Sequence, residues 1–222
     1  MTPAESFLAD IPSIHSWDGG LTWNSGGFGT TELGWIIRAV GERFGAGARI
    51  AETGAGCSTL AFLLAAPARV HSISAEGDIF DRIRDHAARL GVSTLPLEPY
   101  VARSELVVPK LAAECEERGL PLDLALLNGG HGWPTCFVDF CYLNAALRKG
   151  GLLMVDDFHI HSVKELARFL SEDWRYRLVE RFEKTLVFEK LEDFRFLPDF
   201  GGQPYIMRRT EQDTADGRRY DL

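Results

Sequence analysis

Four stretches of the sequence carry side chains able to do chemistry, and each closes a short apolar run. In Arg49-Ile-Ala-Glu52-Thr53-Gly54-Ala55-Gly56-Cys57-Ser58-Thr59 an acid stands two residues before a G-x-G turn, and an apolar, helix-forming segment follows from Leu60 to Ala66. A glycine turn between strand and helix brings backbone N–H groups and a helix N-terminus to a ligand. Dinucleotide folds space these glycines G-x-G-x-x-G and set the acid about 20 residues later. Here Thr59 replaces the third glycine, and a carboxylate at Glu52 would repel a pyrophosphate but suits a cationic ligand end. The second stretch, His71-Ser-Ile-Ser-Ala-Glu76, ends in an acid one βα unit further on, where a carboxylate accepts both hydroxyls of a ribose. The third reads Leu126-Leu-Asn128-Gly-Gly-His131-Gly-Trp133-Pro134, and the fourth Leu152-Leu-Met-Val-Asp156-Asp157-Phe-His159-Ile-His161. Imidazole titrates near neutrality, as a general base should, and His131, His159 and His161 belong to strand ends aimed at one crevice. If the fourth stretch is extended, His159 and His161 share a side. His15, near the N-terminus, is a further candidate for the site; His71 and His86 fall inside predicted elements and read as packing residues.

The elements that must position these residues alternate. Predicted strands cover Arg49–Glu52, Val70–Ala75, part of Thr94–Tyr100, Leu122–Leu127 and Leu152–Val155. Between them lie predicted helices at Ser58–Ala66, Asp78–Leu90, Pro109–Arg118 (started by the proline, stopped by Gly119) and Pro134–Arg148 (closed by Gly150). A further helix, capped by Thr30 or Thr31, runs to Phe44. Such a βαβα rhythm makes a doubly wound α/β fold, a parallel sheet with helices on both faces. It then breaks: Ser162-x-x-Glu165 reads as a capping box opening a helix to Leu170. Two strand-like segments, Tyr176–Phe182 and Thr185–Glu189, follow with only Glu183-Lys184 between them, a poor hairpin turn without glycine or asparagine.

These features together resemble the class I S-adenosylmethionine (SAM) methyltransferases. Glu52 to Gly56 resembles their motif I, and the C-terminal hairpin resembles their last strand, which inserts antiparallel beside the sixth of a seven-stranded sheet. The ends of strands four and five resemble the small methyltransferase-24 type, with a D-G-x-H-like turn before a proline-started helix and a G-G-hydrophobic strand running into paired acids. The resemblance covers Ile50 to Glu189. It implies SAM bound by Glu52, Thr53, Gly54, Ala55, Gly56, Ser58, Thr59, Glu76 and Asn128, and methyl transfer to a hydroxyl of a small metabolite. The acceptor must lie about 3 Å from the methyl and be largely stripped of its proton. In metal-dependent relatives an acid on strand four and an acid pair on strand five hold one magnesium. Asp156 and Asp157 match the pair, hard oxygen ligands suit Mg²⁺, and His131 matches a base that some relatives carry. The departure is Asn128 in place of aspartate. It leaves three readings: a weakened Mg²⁺ site of Asp156, Asp157 and Asn128; a metal-free site with His131 or His159 as catalytic base; or a structural acid pair in a non-catalytic SAM- or nucleoside-binding domain. A nicotinamide oxidoreductase is the remaining alternative, disfavoured by the missing third glycine.

The whole chain is consistent with this. Its 222 residues suit one catalytic domain at 49–196, preceded by a cap or lid segment with one helix at 1–48 and followed by a partly ordered tail at 197–222. Trp17, Trp23 and Phe28 among dense glycines suit either a lid over the acceptor or a packing arm, including one that contacts a second copy in a homo-oligomer. The formal charge of −8 argues against nucleic-acid or membrane partners, and the Arg208-Arg209 and Arg218-Arg219 pairs are too short to form a patch. Four cysteines without C-x-x-C spacing argue against structural zinc and for a reducing cytoplasm, and no run approaches a membrane span.

Overall fold

In a computed structural model that describes residues 1–16 and 18–216, the alternating apolar runs form one seven-stranded sheet. Trp17 and the Arg218-Arg219 pair lie outside the described residues. The strands are β1 (Arg49–Thr53), β2 (Arg69–Ser74), β3 (Leu97–Val101), β4 (Leu122–Leu127), β5 (Leu147–Val155), β6 (Tyr176–Arg181) and β7 (Leu186–Lys190). Their order is β3-β2-β1-β4-β5-β7-β6; the first five run parallel, and β7 lies antiparallel between β5 and β6. The expected doubly wound fold with a terminal hairpin is thus present. Side-chain alternation along each strand divides the core into two layers. Ile50, Leu124 and Met154 face α2 (Thr30–Arg43), α3 (Cys57–Leu64) and α4 (Asp78–Arg89). Ala51, Ala125 and Leu153 face α5 (Ser104–Arg118), α6 (Thr135–Ala146) and α7 (His161–Glu172).

Several boundaries differ from the sequence reading. Helix α5 begins at Ser104, five residues before Pro109, because burial of Val107, Val108 and Leu111 outweighs the single backbone bond that an internal proline removes. Helix α6 stops at Ala146, and Leu147 already pairs with Leu122 of β4. Gly150 and Gly151 are therefore strand residues beside a register shift, where a glycine pair marks a bulge rather than a helix stop. The Ser162-x-x-Glu165 capping box does not form. Ile160 is the N-cap of α7, the Ser162 hydroxyl donates to the His131 carbonyl, and Glu165 takes Arg168 and the Tyr205 hydroxyl.

Both ends of the chain are more ordered than their composition implies. The first 48 residues hold two helices, not one: α1 (Pro3–Ala9), opened by a Thr2–Glu5 capping box, precedes α2 and buries Phe7. At the other end α8 (Pro204–Ala215) docks on α7 through Arg208–Glu172 (2.8 Å) and the buried Tyr205. Among the described residues no helix is long and apolar enough to cross a membrane.

Candidate active site

The glycine turn is built from beneath. Alternation on β1 sends Glu52 into the layer under α3, where it is fully buried. Ser58 Oγ (2.6 Å), Ser72 Oγ (2.7 Å) and the Thr59 hydroxyl all donate to its carboxylate. Thr59 Oγ1 in turn accepts from the Gly56 amide at 3.0 Å. Burial pushes the Glu52 carboxyl up to about 7, against the pull of these three hydroxyls. Glu52 therefore pins the turn and the start of α3 onto β1, and with Thr59 it does not face the crevice as the sequence reading placed it. The Thr53 side chain is likewise buried, on the opposite face, its hydroxyl 3.3 Å from the Asn128 amide. Gly54 has φ +88°, and a Cβ there would lie 2.1 Å from the Asn128 carbonyl oxygen. Only glycine lets the ends of β1 and β4 approach this closely.

Above the turn, two cavities meet at the C-terminal ends of the strands. The larger is an open cleft of about 380 Å³ lined by Gly54, Ala55, Ser74, Ala75, Glu76, Ala102, Arg103, Ser104, Asn128 and Thr135, among others. Glu76 is exposed in it, at the end of β2. Ser104 is held there by Asp139 (2.9 Å), a carboxyl that burial raises to about 6. The smaller cavity, about 30 Å³, is bounded by Gly54 to Ser58, Asn128 and the N-terminal residues His15, Asn24 and Gly26 to Phe28. His15, Gly54, Ala55 and Asn128 line both. The glycine-rich arm closes on itself: His15 N donates to Asn24 Oδ1 (3.2 Å), Asn24 N to the His15 carbonyl (2.6 Å) and Asn24 Nδ2 to the Pro12 carbonyl (2.8 Å). Arg82 on α4 then ties it down, donating to the Ile14 carbonyl at 2.9 Å and lying 5.7 Å from the Trp23 ring.

Asp156 and Asp157 do meet a cation, and it belongs to the chain. Lys184 Nζ lies 2.9 Å from Asp156 Oδ2 and 2.9 Å from Asp157 Oδ1. It also donates to the Gly26 carbonyl, while the Thr185 hydroxyl serves the other oxygen of Asp156. Burial pushes the Asp156 carboxyl up, more than Lys184 pulls it down. For Lys184, burial lowers the ammonium, but the two aspartates more than reverse this and hold it above its ordinary range. A magnesium ion needs near-octahedral oxygen ligands at about 2.0–2.1 Å, and the ammonium fills that position. Among the described residues no group of three or more His, Cys, Asp or Glu is disposed to hold a metal. Asn128 lines the two cavities, and the residues as arranged do not fit the Mg²⁺ site expected of Asp156, Asp157 and Asn128.

The histidines separate. His131 Nε2 lies 3.4 Å from Asp157 Oδ2, and burial lowers its pKa against the pull of Asp157 and Asp156, which keeps the ring neutral at pH 7. It lines neither of these cavities but one of about 10 Å³ behind the β4–α6 turn, with Asp139 and Asp156. His159 is exposed, 3.8 Å from Asp157. The expected alternation of His159 and His161 is absent, because Asp157 turns the chain at φ +56° and His161 already begins α7. His15 is the imidazole that lines both the cleft and the arm-covered cavity, over the glycine turn and 3.8 Å from where a Gly56 Cβ would lie. Burial lowers its pKa too, against the opposing pull of Glu76. Lys184 is the residue that sequence reasoning missed. Its signal was the hairpin turn that lacked turn residues.

Neither a family model nor a curated protein matches the sequence. Solved structures do match. The O-methyltransferase TomG from Streptomyces achromogenes, solved with SAM, superposes with a TM-score of 0.62 at 14% identity over 86% of this chain and 97% of that one. Cofactor-bound Rv0187 from MTB gives 0.61 at 15% identity over 87% and 92%. A putative RNA methyltransferase from Pyrococcus horikoshii, PH1948, gives 0.57 at 12% identity over 88% and 100%. The fold is that of the class I methyltransferases. At these identities the likeness speaks for the fold, and in that fold the two cavities stand where the strand order reverses beside β1, the usual place for a ligand in an open α/β sheet.

Proposed function

We propose that the chain is a SAM-dependent methyltransferase acting on a hydroxyl of a small metabolite. The observation that carries this reading is the cleft at the ends of β1, β2 and β4, which joins a glycine turn, an exposed acid one βα unit later and a second, arm-covered cavity. Bound there, SAM supplies an electrophilic methyl group on a sulfonium. Glu76 would hold the ribose hydroxyls, and the amides of the Gly54–Gly56 turn, with Asn128, would hold the amino-acid end. Ala102 and Arg103 bound the far wall, where a base would lie. The arm residues His15, Asn24 and Phe28 exclude water from the smaller cavity, which favours transfer to the acceptor over loss to solvent. The resemblance of the strand-four and strand-five ends to the methyltransferase-24 type supports a small acceptor. So does the charge of −8, since RNA binding draws on cationic surface.

In this reading His131, which borders the cavity behind the β4–α6 turn, would have to turn toward the cleft to take the acceptor proton, and Asp157, 3.4 Å from its Nε2, would stabilise the imidazolium. A second reading gives the base role to His15, favoured by its place at the junction of the two cavities. Calorimetric titration with SAM, S-adenosylhomocysteine and NAD(H) tests the cofactor: SAM and its product bind one per chain, and NAD binding without SAM binding would overturn the assignment. Glu76→Ala should weaken SAM by about 1–3 kcal/mol through lost hydrogen bonds to a charged group. Once an acceptor is in hand, the base is expected to lose ~10²–10⁴-fold in kcat on substitution by asparagine, with SAM affinity retained. That loss in His15→Asn and not in His131→Asn would move the role to the arm.

A further inference from the structure

The sequence pattern at the end of β5 asks for a cation, and the fold supplies one from 27 residues downstream of Asp157. Two consecutive carboxylates, one of them fully buried, repel each other and need a positive partner close by. An ammonium has three N–H donors and no acceptor. At Lys184 they go to Asp156, to Asp157 and to the Gly26 carbonyl of the N-terminal arm, so the head group is saturated. The face of Phe28, two residues further along the arm, lies 5.5 Å from the same nitrogen. Neither Glu183 nor Lys184 takes a positive φ in the turn between β6 and β7, so the backbone there asks for neither glycine nor asparagine, and position 184 is distinguished by what its side chain meets.

We propose that Lys184 is a built-in replacement for the divalent cation that this acid pair would otherwise take, and that the same ammonium clamps the N-terminal arm over the smaller cavity. An ion and the ammonium compete for the same oxygens, so arm closure and metal binding exclude each other. Lys184 is thus a positioning residue. Its bearing on turnover rests on the methyltransferase reading, but its metal exclusion does not, and the test needs no SAM.

The test is titration with Mn²⁺ alone, followed by electron paramagnetic resonance, on the full chain. The unmodified protein is expected to bind no Mn²⁺ up to ~1 mM, while Lys184→Ala gains a site in the ~0.1–1 mM range typical of weak carboxylate sites. That site should vanish when Asp156→Asn is added, and Lys184→Arg, which keeps the charge, should not acquire it. Saturable Mn²⁺ binding by the unmodified chain that Asp156→Asn removes, or no gain in Lys184→Ala, overturns the proposal. Should Lys184→Ala not fold, Lys184→Gln, which keeps the stem without the charge, is read the same way. The clamp is read separately by amide hydrogen exchange: protection at Asn24 and Gly27, whose amides donate to the His15 and Asn24 carbonyls, should fall at least ~10-fold in the neutral variant, and unchanged protection there overturns the clamp.

Discussion

Strand β7 has a lysine at each end. Lys184, in the turn that enters the strand, meets two carboxylates and a carbonyl beside the candidate site. Lys190, its last residue, is buried at the opposite edge of the sheet and meets carbonyls alone: Asn144 (2.8 Å) and Leu147 (2.8 Å) at the C-terminal end of α6, and Phe194 (2.6 Å), whose ring also lies 4.4 Å from the nitrogen. The electrostatic outcomes are opposite. The aspartates hold Lys184 above the ordinary lysine range, whereas burial brings Lys190 down to about 8, with only Asp193 pulling the other way. Full charges at the crevice give a cation that is fixed and polarising. Carbonyl dipoles at the distal end give a structural pin that closes the orphan groups of a helix terminus. The difference separates what the strand does for function from what it does for stability.

Removing the distal pin should have the largest effect on folding. Lys190→Ala leaves three carbonyls, two of them buried, without their donor and a cavity beside Phe194, a combined cost of ~3 kcal/mol or more. Urea denaturation measures it, and SAM affinity of the folded fraction should be unchanged. A loss below ~1 kcal/mol, the scale of one ordinary hydrogen bond, would mean that water reaches those carbonyls and that the pin is not structural.

Lys184→Ala should cost less stability, about 1–3 kcal/mol. Lys184 keeps 19% of its side-chain surface exposed, so water can replace it at Asp157 and at the Gly26 carbonyl though not at the buried Asp156, whereas breaking a fully buried pair costs ~3–5 kcal/mol. Its signature should instead be local, in the arm and the acid pair. A stability loss equal to that of Lys190→Ala, without loosening of the arm, would erase the contrast between the two ends.

These two lysines also show where the sequence was legible. The alternation of strands and helices and the terminal hairpin followed from periodic apolar runs, because burial of a regular face is a local pattern. The glycine turn was legible because a G-x-G between strand and helix has few other uses. Glu52 was misplaced because acids at strand ends look alike in sequence. Its fate was decided by alternation on β1 and by three hydroxyls that converge only in the folded state. The tail was read as poorly ordered from its glycines and charges, whereas Tyr205 and Arg208 dock it on α7 through contacts some 36 to 40 residues distant in sequence. Lys184 was visible only as part of a turn without glycine or asparagine, and its distant partners, Asp156 and Asp157, come together with it only in the folded state.

The smallest expected effect is a divergence with pH, and it follows from the sign of each shift. Lys190 has a folded pKa near 8 against an ordinary 10.5, so between these values the unfolded chain binds more protons and stability rises with pH. The cost of Lys190→Met should therefore grow from pH 8 to pH 10, on the order of 1–2 kcal/mol. Lys184 is shifted the other way. Its contribution is fully present below the ordinary 10.5 and is lost only as pH rises through its higher folded value, so the cost of Lys184→Met should stay flat across the same window. Urea denaturation of the two variants and the unmodified chain at pH 7, 8, 9 and 10 reads both slopes at once. Parallel curves would mean that the two ends of β7 share one electrostatic environment, and the division between a site-forming and a stabilising lysine would fail with them.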